Sequence, residues 1–214
     1  MTYSICGLTH WRVSIIAGAI LFNACGAWAC SGGGQPPDTD ALIEAEKTMR
    51  ESDSTIQRVL AYGILLRTAD PNARKAAIRM GYGTDDPDLR GTALHCDFVQ
   101  ASGILVDTMP LDEADDAMSD MTAEARSLIE EGRTFNFPFY FVDAAQGCAS
   151  INGHSDDECP AAYSASVSGT TLAFQNDRNL FGRFELTDEN TLVGEIGIFN
   201  GTGHTVVPAT AKLN

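Results

Sequence analysis

Near residue 133 the apolar residues change their spacing, and this change constrains the fold more than any other feature of the chain. Ahead of it, apolar side chains recur every three to four residues, the period of a helix buried on one face. Behind it they alternate. Phe135, Phe137, Phe139 and Phe141 occupy every second position, so one face of an extended segment carries four aromatic rings. Such a chain is expected to be α+β, with a helical domain over 41–133 and a β-rich domain over 134–214.

The helical part moves in sixteen-residue steps. Asp70-Pro71-Asn72-Ala73-Arg74-Lys75-Ala76-Ala77-Ile78 recurs as Asp86-Pro87-Asp88-Leu89-Arg90-Gly91-Thr92-Ala93-Leu94. One step earlier, the stretch from Ser54 to Tyr62 keeps the Ser/Asp, Arg and Ala positions. Ser54, Asp70 and Asp86 suit helix N-caps, and Pro71 and Pro87 suit the first helical position. Ile56, Val59, Leu60 and Ile64 in one unit, and Ala73, Ala76, Ala77 and Met80 in the next, fall at helical spacing. Gly81 and Gly83 are expected to end the second helix. Asp70 with Arg74 and Asp86 with Arg90 stand four apart, so they are expected to pair along their own helices. That scaffold role outweighs reading Arg58, Arg74 and Arg90 as a ligand-binding row. The Asp-Pro-x-x-Arg-x-x-Ala pattern resembles the helix starts of HEAT-type repeats, over about 50 residues and with a unit shorter than their roughly 40. The resemblance implies an array of short stacked helices.

A further helix is expected over Ala41 to Arg50, and Ile104-Leu105-Val106 reads as a short strand closed by Pro110. An acidic segment follows, from Asp112 to Glu124, with Met118, Met121, Ala125, Leu128 and Ile129 forming an apolar helical stripe. It lacks the alternating acids and loop glycine of a calcium site, so it reads as a solvated helix. Beyond Thr134, Pro138 marks the aromatic strand as an edge or an irregular one. The stretch from Asp143 to Pro160 reads as a loop. Tyr163–Val167, Thr171–Phe174, Leu180–Leu186, Thr191–Phe199 and Thr205–Leu213 read as five strands separated by Gly, Asn and Asp turns. Short connections imply antiparallel neighbours, hence a small meander forming a sandwich or partial barrel.

The N-terminus carries an address. Val13 to Phe22 is an apolar run too short to span a bilayer but suited to a secretory signal, and Ala27-Trp28-Ala29 offers a small-x-small cleavage site. Residues 1–29 are therefore expected to be a signal peptide. Its end also resembles a bacterial lipoprotein signal, which implies lipid attachment at Cys30. Cys25, after Phe22-Asn23-Ala24, is a second candidate, and both depart from the usual leucine three residues ahead. Ser31 to Pro37 reads as part of a flexible tether over 30–40. In an oxidising compartment Cys148 and Cys159 are expected to form a disulfide. Cys96 is left either as a buried thiol or as a partner for an unlipidated Cys30.

Charge narrows the partners. The chain has 14 Lys and Arg against 29 Asp and Glu. Such a surface disfavours nucleic acid and anionic lipid headgroups, leaving membrane contact to an N-terminal lipid and the partner an unknown protein or small molecule. His154-Ser155-Asp156-Asp157-Glu158, between Cys148 and Cys159, is the densest polar cluster, with His204 as a distant companion. It has no zinc spacing, so no metal or other cofactor is assigned. In His95-Cys96-Asp97, adjacent helical residues point about 100° apart, which opposes a Cys/His catalytic pair. No nucleophile elbow, phosphate loop or dinucleotide fingerprint occurs, and no catalytic residue is assigned. The expectation is an exported envelope protein, periplasmic or membrane-anchored, acting as a non-enzymatic binding or structural module. The alternative is a small periplasmic hydrolase with a site near His154 and His204.

Overall fold

The computed structural model describes residues 30, 37–108, 132–153, 157–199, 201 and 203–214. The expected signal peptide with Cys25, residues 31–36 of the tether expected over 30–40, the acidic segment and His154 lie outside the described residues. Among the described residues, four helices precede the strands: α1 (Thr39–Glu51), α2 (Thr55–Leu66), α3 (Pro71–Tyr82) and α4 (Pro87–Gln100). Their starts carry the expected caps. Asp38 accepts from the Ala41 amide, Ser54 from Gln57, Asp70 from Asn72, and Asp86 from Asp88 and Leu89. A second bond recurs ahead of three of them: the amides of Ser54, Asp70 and Asp86 donate to Ser52 Oγ at 3.1 Å, Thr68 Oγ1 at 3.4 Å and Thr84 Oγ1 at 3.2 Å.

The arginines do not pair along their own helices as the spacing suggested. Arg58 donates to the Ser52 carbonyl at 3.4 Å and to Asp86 Oδ2 at 2.6 Å, the cap of another helix. Arg74 donates to the Thr68 carbonyl at 2.8 Å. Each guanidinium is long enough to reach back six residues to an orphan carbonyl, which a partner one turn away does not satisfy. Helix α2 also differs from expectation. Ile56 and Leu60 are exposed, and Ala61, Tyr62, Leu65 and Leu66 form its buried face. Gly81 lies within α3 instead of ending it. A β-carbon there would come within 2.2 Å of Tyr62 Oη, so the bare Cα makes room for a fully buried ring.

Eight strands follow: β1 (Gly103–Thr108), β2 (Thr134–Asp143), β3 (Cys148–Ile151), β4 (Tyr163–Ser168), β5 (Thr171–Asn176), β6 (Leu180–Leu186), β7 (Leu192–Phe199) and β8 (His204–Leu213). Each pairs antiparallel with the next, and β1 pairs with both β2 and β8, closing the barrel. The expected sandwich or partial barrel is thus replaced by a closed one. Two strands make the difference. Ile104–Val106 proves to be the closing strand, and Cys148–Ile151 is a strand inside the stretch read as a loop. The alternation of β2 also breaks. Its register against β3 shifts between Phe139 and Phe141, so Phe135, Phe137, Phe139 and Val142 pack on the core and Tyr140 faces solvent.

An eight-stranded barrel is just wide enough for side chains to fill, and this one is filled. Ile104, Val106, Phe137, Ile151, Leu172, Phe174, Phe184 and Ile196 lie within it, each at most 4% exposed. Phe137 meets Phe174 with ring centroids 4.5 Å apart, and Phe174 stacks on Phe184 at 6.1 Å. Outward positions such as Asp107, Arg183, Glu185, Glu195 and Lys212 are polar. These positions differ from the apolar outer band of a transmembrane barrel.

Helix α4 joins the two halves. Leu94 and Phe98 belong to the barrel core, and Leu89, Ala93 and Cys96 to the helical core. The helix sits at the barrel end formed by the β2–β3, β4–β5 and β6–β7 turns. Gly91 lies so close to the Gly169 backbone that a β-carbon would be 3.0 Å from it. Arg90, 9% exposed, donates to Asp188 Oδ1 at 2.9 Å and to the Leu186 and Thr187 carbonyls of the β6–β7 turn.

Candidate functional site

The His95-Cys96-Asp97 triplet is dispersed by the helix that carries it. His95 points to the barrel, its Nε2 lying 3.0 Å from the Ala144 carbonyl and its ring packed on Gly147. Cys96 points into the helical core and forms a disulfide with Cys30, their Cα atoms 4.9 Å apart. Asp97 accepts from the Tyr82 hydroxyl at 2.9 Å. Three successive side chains thus serve three separate contacts, as rotation of about 100° per residue requires. A sulfur held in a disulfide is no nucleophile, and Cys96 is not the free core thiol that one reading allowed.

Burial governs the electrostatics here. It lowers the His95 pKa, which the Ala144 bond partly offsets. It raises the Asp97 pKa, against which the Tyr82 bond and the Lys75 charge pull. The tyrosine hydroxyls of Tyr62 and Tyr82 are pushed up by burial and by the nearby Asp97 charge. All four groups are therefore held towards their neutral forms.

Cys148 and Cys159 are disulfide-bonded, with Cα atoms 6.2 Å apart, and this bond ties the loop after β3 back along the strand. Asp157 and Glu158 are exposed on that loop, while His154, Ser155 and Asp156 lie outside the described residues. His204 opens β8 at the barrel rim away from the helices, the rim that also carries the β3–β4 loop. Its Nε2 is 2.6 Å from the Arg178 carbonyl. The ring meets Phe181 at 5.0 Å and Phe199 at 5.6 Å, edge to face in both cases. His204 is thus locked by two aromatic rings and a main-chain oxygen. Among the described residues, no three His, Cys, Asp or Glu side chains are grouped to hold a metal ion.

Around His204 lies an apolar outer patch. Phe181, Gly197 and Val206 stand opposite one another across β6, β7 and β8, and Phe199 pairs with His204. Phe199 and Val206 are each 44% exposed. The signal was present in the sequence: Ile196 and Ile198 face inward, so Phe199 and Gly197 must face out, where a polar residue is the usual choice. An open groove of about 970 Å³ lies among the helices and is lined in part by Met49, Arg58, Met80 and Asp86. Arg58 and Asp86 neutralise each other within it.

Compared with protein families, characterised proteins and solved structures, the chain matches none.

Proposed function

We propose that the chain is an exported envelope protein that acts as a non-enzymatic binding or structural module, its barrel displayed on a helical scaffold. The observation that carries this reading is the filled barrel. With Phe137, Phe174 and Phe184 stacked across its interior, the lumen is a core, so recognition falls to the outer face and the rim loops. Two disulfides are consistent with export, since such bonds persist in oxidising compartments. The recurring Ser/Thr-to-cap bonds and the arginine bonds to preceding carbonyls support a helical half assembled from repeated sixteen-residue units.

The test is photo-crosslinking of the full chain, exported in its native host, with the reactive side chain at Val206, Phe199 or Glu185. A discrete adduct at one or more of these outer positions supports the binding reading. A hydrolytic activity of the purified protein that His204→Ala abolishes would replace that reading with the hydrolase.

A further inference from the structure

Cys30 faces two exclusive fates. A diacylglyceryl thioether and a disulfide each use its single sulfur, and the structure has that sulfur bonded to Cys96. The bond does not lie at a frayed end. Cys30 is 2% exposed and Cys96 is fully buried. Cys30 shares the helical core with Ala45, Met49, Tyr62, Leu66 and Ala93. A lipid on Cys30 would leave Cys96 as an unpaired buried thiol and would draw residue 30 out of a packed core.

We infer that Cys30 is a structural half-cystine in the exported protein and carries no lipid. This inference rests on the export reading above. The bond forms as two thiols lose two electrons and two protons to a disulfide-bearing oxidant of the exported compartment. Its effect on the chain is topological. Residues 30–96 become one covalent ring that contains α1, α2, α3 and most of α4. The Gly-rich stretch after Cys30 is then a connection inside that ring and not a free tether. Residue 30 is bonded to α4, the helix that also packs against the barrel.

The experiment maps the cysteines of the full chain, produced in an exporting bacterial host and digested without reductant. The expected result is a Cys30–Cys96 linked peptide pair of unlipidated mass, with Cys148 joined to Cys159. Cys30 bearing a diacylglyceryl group, or Cys30 and Cys96 unlinked while Cys148 and Cys159 are joined, would overturn the inference and leave export standing. Four reduced cysteines on a chain that keeps its leader would overturn export and this inference together. A Cys30→Ser variant supplies a second readout. Its division between membrane and soluble fractions should equal that of the unaltered chain, and a complete shift to the soluble fraction would refute the inference.

Discussion

Removing the Cys30–Cys96 bond should cost more than removing the Cys148–Cys159 bond, and the structure sets the difference. The two bonds span 66 and 11 residues. If a cross-link acts by restricting the unfolded chain, the longer loop contributes about 4.3 kcal/mol and the shorter about 2.8 kcal/mol. The constant in that relation cancels, so the difference of about 1.6 kcal/mol depends only on the ratio of loop lengths. Burial acts in the same direction, because Cys30 and Cys96 lie in the core and their truncation also removes packing. The comparison uses the pairs Cys30→Ala with Cys96→Ala and Cys148→Ala with Cys159→Ala, each unfolded in urea and followed by far-ultraviolet circular dichroism. With a denaturant slope of about 2 kcal/mol per molar, the midpoint should fall by about 2 M for the first pair and about 1.4 M for the second. A first pair that costs no more than the second would show that the ring through residue 30 does not constrain the unfolded chain as argued.

Three further outcomes are expected. Phe184→Ala, which empties a ring from the filled barrel, should destabilise by about 3–5 kcal/mol in the same urea assay, and a loss below about 1 kcal/mol would show that the interior is not tightly packed. Arg90→Ala removes the donor to the Leu186 carbonyl and one of the two donors to the Thr187 carbonyl, so it should cost about 1–3 kcal/mol and open the β6–β7 turn to protease; unchanged cleavage there would refute the role given to Arg90. His95 has its pKa lowered by burial, so the unfolded chain takes up the proton first as pH falls. Its contribution is therefore complete above the ordinary imidazole value of 6.5 and declines as pH drops below it. Urea midpoints measured at pH 8 and pH 5 should differ less in His95→Gln than in the unaltered chain, and equal differences would remove His95 from the pH response.

The helix starts were legible because caps are local chemistry. Asp70-Pro71 and Asp86-Pro87 specify an N-cap and a first turn whatever packs around them. Partners far apart in sequence were not legible. Spacing alone made Asp86 the partner of Arg90, yet the structure gives Asp86 to Arg58 and sends Arg90 to the β6–β7 turn. Strand β3 was hidden because Cys148-Ala149-Ser150-Ile151 is short and flanked by turn residues, so no period can be counted over it. The closing strand β1 could be read as a strand, but nothing local showed that its partners are β2 and β8, the latter about a hundred residues away. Of the site residues, His204 was visible as a histidine. Its setting against Phe181 and Phe199 depends on a register that the sequence does not state.

Helix α4 shows why the change of period near residue 133 does not by itself divide the molecule. The change marks where strands begin to follow one another, but β1 precedes it and completes the barrel. Helix α4 precedes β1 and gives Leu94 and Phe98 to the barrel while giving Ala93 and Cys96 to the helices. Tyr82 and Val99 pack against both cores. A helix shared in this way couples the two halves, since tilting it to relieve one core withdraws side chains from the other. The Cys30–Cys96 bond fixes the helical side of α4, and Arg90, Gly91 and His95 fix the barrel side within two turns of the same helix. Local damage on one side should therefore be felt on the other. The four-aromatic stripe and the sixteen-residue step are properties of separate segments, but the stability of each depends on a helix that belongs to both.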